Sequence, residues 1–328
     1  MGVEYTGRKV SFGLAKEAVR GTAEAEATYW LNHISLGFYP RAEKVLNESA
    51  LGNLHKQNDS TTMTLWGEGD FEMKAGDQSI GAILHATMGS VVTSDNADAN
   101  AAVKDHTFNF DQSNSPASYT FFRKDPNVNE AYALGMVSSL EITAELGAWL
   151  MLNGSVITKP AASSSATVAR IAETEFKPKH IGVKLAANVA GLAGATNLVS
   201  LQSMKLTIDR AVERDLALTT DSPYDISVRE IEISGELVLR HSDAVILNQY
   251  LQDTQQAMRI SVINTDVTIG AAANPGVVFT LPKVTFDNWE LDQGLGDKAN
   301  QTVSFKGLYD VTTAKALEVV LTNTVASY

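Results

Sequence analysis

The residues able to do chemistry are few in kind and widely scattered. Histidines stand at positions 33, 55, 85, 106, 180 and 241, and no two fall at HxH or HxxxH spacing. A zinc centre needs three or four donors at one point, and nothing in these spacings assembles one. Cysteine is absent, which removes thiolate metal sites, disulfide frameworks and cysteine nucleophiles together. Asp95-Asn96-Ala97-Asp98 begins like a calcium loop, but the glycine expected at the sixth position and the glutamate at the twelfth are missing. It reads as a solvated loop. The stretch Gly76 to Gly81 (GDQSIG) is one residue too long for a nucleophile elbow, and its Ser79 falls in the first turn of an expected helix, where capping is the simpler role. Gly294-Leu295-Gly296-Asp297 sits in an expected hairpin turn, not between a strand and a helix as a dinucleotide fingerprint requires.

What remains is a set of carboxylates. Glu68, Asp70 and Glu72 alternate with Gly69, Phe71 and Met73, so they share one face of a strand. Glu230, Glu232 and Glu236 occupy a similar stretch later in the chain, where Gly235 is a candidate bulge. A glycosidase pair can be drawn from such acids, yet no aromatic cleft accompanies them in sequence. The expectation is therefore a non-enzymatic protein with no catalytic residue, no cofactor and no metal, whose one distinctive surface is an acidic strand face.

The elements that carry these acids occur twice. The first copy reads TTMTLWGEGDFEMK and then AGDQSIGAILHATMG; the second reads SVREIEISGELVLR and then HSDAVILNQYLQDT. In each, residues alternate through a glycine and the period then changes to that of a helix. Ile80, Ile83, Leu84 and Met88 follow Asp77 and Ser79 as possible N-caps; Val245, Ile246, Tyr250 and Leu251 follow Ser242. Gly69 to Lys74 lies over Gly235 to Arg240 at constant offset, Arg41-Ala42 over Arg210-Ala211, and Leu152-Asn153-Gly154 over Phe305-Lys306-Gly307. Two such units in one register indicate duplication.

The expected organisation is an irregular arm at 1–28, a first domain at 29–158, a linker or inter-subunit loop at 159–199 and a second domain at 200–328. Each domain holds six or seven short strands and one helix, which makes the chain mainly β with α, two tandem sandwiches or half-barrels. The arm and the linker have few apolar anchors and are expected to bridge neighbouring subunits. The strand Ala316 to Asn323 has no evident counterpart in the first half.

Composition narrows the partners. The 328 residues are 44% hydrophobic and 20% charged, enough for a substantial core, and carry a formal charge of −12. That balance argues against nucleic-acid binding, which needs clustered Lys and Arg. No apolar run reaches the roughly 18 residues of a membrane helix, and no signal-peptide core is evident.

Lys16 to Thr22 (KEAVRGT), then a first strand and WGEGDFEMKAGDQSIGAILHATMG, resembles the major tail tube proteins of long-tailed, non-contractile bacteriophages. Ser203 to Leu237 is similar to the same family. The resemblance implies a β-sandwich flanked by a helix, with inner sheets of neighbouring domains joined into a barrel and rings stacked into a conduit for DNA. Its partners would be copies of itself, the tape-measure protein and later the genome in the lumen, and the tail tip and terminator proteins, all in a virion tail assembled in the host cytoplasm. A duplicated chain resembles the two-domain members that form trimeric, pseudo-hexameric rings, with a hexamer as the alternative. Glu68, Asp70, Glu72, Glu230, Glu232 and Glu236 would then line the lumen. Other classes remain open on sequence: a minor tail, neck or terminator protein, a soluble adhesion or carbohydrate-binding sandwich, or a β-barrel channel.

Overall fold

In the computed structural model residues 4–328 are described; Met1 to Val3, the start of the expected arm, lie outside them. The strands of the first half are β1 (Ser11–Lys16), β2 (Tyr29–Leu31), β3 (His33–Leu36), β4 (Tyr39–Asn47), β5 (Asp59–Lys74), β6 (Gly89–Asp95), β7 (Lys104–Phe110), β8 (Tyr119–Lys124), β9 (Asn129–Glu145), β10 (Met151–Thr158) and β11 (Ala161–Ser163). The second half holds β12 (Ile181–Ala186), β13 (Leu201–Asp215), β14 (Asp225–Arg240), β15 (Gln256–Ile263), β16 (Gly276–Asp292), β17 (Asn300–Gly307) and β18 (Glu318–Asn323). Helix α1 (Ser79–Met88) follows β5, and α2 (Val245–Leu251) follows β14. The fold is mainly β with two helices.

One antiparallel sheet crosses both halves in the order β4-β5-β10-β9-β13-β14-β17-β16. The halves meet at β9 and β13, where Ser139 faces Asp209 and Glu145 faces Ser203. Alternation sends Phe71, Met73, Leu140, Ile142, Leu206, Leu237 and Phe305 to one face, all buried in a single apolar cluster. Behind that face lie β2-β1-β8 with the start of β9, and β12-β15 with the start of β16, then β18, β7 and β6. The 17-residue strands β9 and β16 serve both layers. Each bends at a bulge, opposite Ser155/Val156 in one case and at Phe286/Asn288 in the other.

Several expectations need correction. Residues 11–16, read as part of an irregular arm, form β1 between β2 and β8, with Phe12 and Leu14 buried in the core. The segment 159–199 is likewise partly structured: Ile181–Ala186 pairs with β15, and Phe176 is fully buried. Each of these two strands follows a short 3-10 turn, at Gly7–Lys9 and Pro178–His180. The strand at Ala316 to Asn323 fills the gap between β16 and β7 and so ties the chain's last strand to a hairpin of the first half.

Two sequence overlays also shift. Opposite Gly69 and Gly235 stand Val156 and Phe305, so Phe305 corresponds to Val156, not to Leu152. Trp66 and Glu232, three residues before those glycines, face Arg41 and Asp209. Arg210 is therefore one step out of line with Arg41, and one step reverses the face. It is 2% exposed and donates to the Ala86 carbonyl at 2.9 Å, in the last turn of α1, where a cation complements the helix dipole.

The helices differ in surroundings. Every residue of α1 is buried, whereas Ile246 alone is buried in α2. The N-terminus of α1 is capped from the linker, because Glu173 accepts from both the Ser79 N–H (2.9 Å) and its hydroxyl (2.7 Å). Asp77 instead accepts from Thr174 N–H at 2.8 Å. Gly76 and Gly81 owe their place to packing: a Cβ would run into Glu173 at the first and into the Tyr328 ring at the second. That ring's hydroxyl donates to the Gln78 carbonyl at 2.6 Å.

The resemblance-bearing stretch KEAVRGT holds two polar anchors, Glu17 buried and Arg20 half-buried. Glu17, 6% exposed, accepts from Gly21 N–H (2.6 Å), Leu134 N–H (2.7 Å) and Thr120 Oγ1 (3.0 Å), and from Ser118. Leu134, whose φ of 54° lies in the left-handed region, sits where the β8–β9 register shifts, and its N–H takes Glu17 in place of a strand partner. Arg20 reaches across to the second half, donating to Asp225 at 2.8 Å and to the Ile226 carbonyl at 2.6 Å. Glu17→Ala would leave the buried Leu134 amide, the half-buried Gly21 amide and two hydroxyls without their acceptor, so we expect a loss of about 3 kcal/mol in urea unfolding. A change under about 1 kcal/mol, the size of a surface substitution, would refute the anchoring role.

Candidate functional site

The sheet face opposite the core is mostly polar, apart from Met151 and from Ile157 and Met136 beyond the β9 bulge. Its cross-strand rows can be followed through the register. One runs Asp70, Ser155, Ser139, Asp209, Glu232; the next runs Glu72, Asn153, Glu141, Thr207, Ser234, Lys306. A third runs Lys74, Met151, Thr143, Lys205, Glu236, Ser304. Directly opposed side chains lie about 4.5–5.5 Å apart at Cβ, so the face behaves as one surface.

Five of the six singled-out acids belong to it. Glu68 and Asp70 are exposed, and together with Arg41, Ser139, Ser155 and Asp209 they line a shallow groove of about 350 Å³. Glu68 accepts from Trp66 Nε1 at 2.7 Å, and Asp70 accepts from the Ser155 hydroxyl. Glu232 pairs with Lys306 at 2.9 Å, and Glu236 stands opposite Lys205. Lys205 in turn bridges to Glu141.

Glu230 does not join them. The bulge that sequence placed at Gly235 occurs where Arg210 faces Ile231 and Val212 faces Val228, around Arg229 and Glu230. The extra residue breaks the alternation, and Glu230 lines a separate groove of about 340 Å³ with Asp111, Asn114, Arg229 and Lys315. Nothing in the residue types at 229–230 announces the bulge.

Sequence reasoning missed other members of the face. Glu141, Glu145 and Asp209 flank the β9–β13 junction, and Glu290 and Asp292 lie on β16. The alternation of β9 around Leu140 and Ile142 was the available signal. Along these rows the acids Glu68, Asp70, Glu72, Glu141, Glu145, Asp209, Glu232, Glu236, Glu290 and Asp292 outnumber the cations Arg41, Lys74, Lys205, Arg240 and Lys306, even with Arg214 and Arg123 lying over the Trp66 and Tyr39 rings. The net field over the surface is negative.

The remaining candidates take part in the fold. Asp98, in the stretch read as a loop, accepts from the amides of Ala271, Ala272 and Ala273 at 2.7–2.8 Å, which hold its carboxyl well below the usual range. Its oxygens are thus turned to the second half of the chain. Among the described residues no three His, Asp or Glu side chains stand close enough to share a metal ion, and no helix is long and apolar enough to cross a membrane.

The family model described as phage tail tube protein matches residues 7–305. The chain belongs to that family. No curated protein matches it. Membership makes the chain a structural component of a phage tail, and the matched span includes both halves of the long sheet and the polar face of this tail tube chain.

His85 offers a measurable property of its core. It is 2% exposed and its Nδ1 lies 2.9 Å from the Tyr119 hydroxyl. Burial, with a smaller contribution from Lys16, pushes it down from 6.5 to about 4. Between those values the unfolded chain binds the extra proton and the folded chain does not, so stability falls as pH drops through this window and levels off below it. The residue contributes about 3 kcal/mol of that slope. His85→Gln, which retains a hydrogen-bonding side chain, should flatten the fall in urea midpoint between pH 7 and pH 4.5. An unchanged slope would show that His85 is not its source.

Proposed function

We propose that this chain polymerises as stacked rings into the tail tube of a long-tailed, non-contractile phage and forms the conduit through which DNA leaves. The observation that carries the reading is the eight-stranded sheet, which crosses both halves of the chain and stops at β4 and β16, each with a side that has no strand partner among the described residues. An exposed sheet edge is a template for another chain, and in a ring it becomes the assembly contact.

The two halves act as duplicated units. Strand order, the bulges on β9 and β16, and the 3-10 turns before β1 and β12 support this. On this reading the repeat begins at the turn before β1, and the expected arm and linker are the first strands of their units. Three copies supply twenty-four strands to one barrel. At about 4.8 Å between strands and a tilt near 40°, the backbone barrel is roughly 45–50 Å across, which leaves room for a duplex. Six copies would double that width with no evident purpose, so a trimeric, pseudo-hexameric ring is favoured. The polar face lines the lumen. Its excess of carboxylates repels phosphate, so the tape-measure protein and then the genome pass without adhering. Tail tip and terminator proteins would cap the two ends.

Negative-stain microscopy of the purified protein tests assembly: rings or tubes are expected, and discrete particles at all concentrations would refute it. Lysine at Glu68, Asp70 and Glu72 together tests the lumen. In the lumen the triple change permits tubes but creates a basic patch that holds DNA in a salt-dependent way, so we expect normal tubes and slowed genome delivery. On an outer wall the change would be nearly silent; in a subunit contact it would block assembly. Virions that eject at the normal rate would exclude the lumen assignment.

A further inference from the structure

Two stretches of the long sheet lack a strand partner on one side among the described residues: Leu36 to Arg41, entering β4, and Asn288 to Asp292 of β16. Inside the chain the same two kinds of edge already meet, at β13 and β9, with Glu141 facing Thr207 and Ser139 facing Asp209. The register shows which residues correspond. Glu68 and Ser234, one before Gly69 and Gly235, face Tyr39 and Thr207. Glu72 and Val238, three beyond those glycines, face Asn153 and Thr302, which face Glu141 and Glu290. Tyr39 thus holds the place of Thr207, and Glu290 the place of Glu141.

We infer that the open edges are closed by a second copy of this chain in one register: β16 of one copy runs antiparallel to Leu36–Arg41 of the next, with Tyr39 opposite Glu290, Phe38 opposite Leu291 and Arg41 opposite Asn288. This rests on the assembly proposed above and adds the pairing and the chemistry of its seam. The seam inside the chain is sealed by the buried apolar cluster Leu134, Met136, Ile226 and Val228. The corresponding positions across two copies are Lys283, Thr285, Ser60 and Thr62. The seam between copies therefore depends on backbone hydrogen bonds and polar cross-strand pairs, Arg41 with Asn288 and Tyr39 with Glu290 among them. It is also one donor short. The Gly37 N–H points inward to the Asp70 carbonyl at 2.7 Å, so alternation turns the amides of Leu36 and Phe38 outward, and Pro40, next in that series, has none. The ring has three apolar, covalently linked seams and three weaker polar ones.

The chain has no cysteine, so Tyr39→Cys with Glu290→Cys introduces the only two thiols. At a non-hydrogen-bonded antiparallel pair the Cα atoms come within disulfide reach. Oxidation of rings or tubes of that variant is expected to link most chains to a neighbour. Tyr39→Cys with Asp292→Cys, on the same face but two residues out of register, should link several-fold fewer. Rings in which the shifted pair links better, or in which neither links, overturn the register and leave the assembly reading standing. If the unmodified chain forms no ring or tube, both fail. Pro40→Ala provides a second readout: the restored N–H should lower the protein concentration needed for assembly about five-fold, the effect of one hydrogen bond. An unchanged or raised threshold counts against this edge as the seam.

Discussion

An antiparallel sheet ends in a row of unpaired N–H and C=O groups, and the rest of this chain is arranged around where such rows are closed. Buried backbone groups left without partners are costly, so edges inside a fold are paired or covered. Here β9 closes on β13, joining the halves through a ladder from Ser139 to Glu145, and β18 closes the gap between β16 and β7. The side-chain ties run across the same junctions. Arg20 to Asp225, Arg210 to the Ala86 carbonyl and Asp98 to the amides of 271–273 each link one half to the other. With so many independent ties, the angle between the halves is fixed by the chain itself, which is what a subunit needs if the two open edges of its long sheet are to meet partners at a set curvature.

The sequence made the long strands legible because period-2 alternation survives along them. On β5 the acids and the core residues separate without interruption from Gly67 to Lys74, and Glu68, Asp70 and Glu72 stand where alternation puts them. Alternation fails as a guide where a residue is inserted. The extra residue near Arg229 and Glu230 breaks the pattern, and the side chains there carry no mark of it. Arg210 likewise aligned with Arg41 by type, while the residue that holds Arg41's place in the ladder is Asp209. Identity of type over two residues is weaker information than a ladder.

The misread arm has a different cause. Residues 11–16 contain two large apolar side chains, Phe12 and Leu14, in a polar surrounding, and the adjoining Glu17 looks like a solvated charge. Its burial is made tolerable by four donors, of which Ser118, Thr120 and Leu134 come from more than 100 positions away. No local pattern can display such a partner. Likewise α1 was legible as a helix from its own periodicity, but its capping group, Glu173, comes from a segment that reads as a loop. What the sequence conceals here is long-range satisfaction of polar groups, not the elements themselves.

The polar face poses the opposite problem, since too much charge of one sign would oppose folding. Ten carboxylates on one sheet surface repel one another, and that repulsion grows when neighbouring copies add theirs. The cations on the face moderate this without abolishing the sign of the field. Lys306 sits beside Glu232 and Lys205 beside Glu141, each a pair in the exposed or half-buried range where such bridges add little stability on their own. Their value lies in position: Lys205 with Glu141 bridges β9 and β13, where acids of both halves approach most closely, and Lys306 with Glu232 bridges β14 and β17 farther out, while Glu68 and Asp70 nearer the β4 edge have hydroxyl and indole donors beside Arg41. A surface built this way moderates its own repulsion and still presents net negative charge.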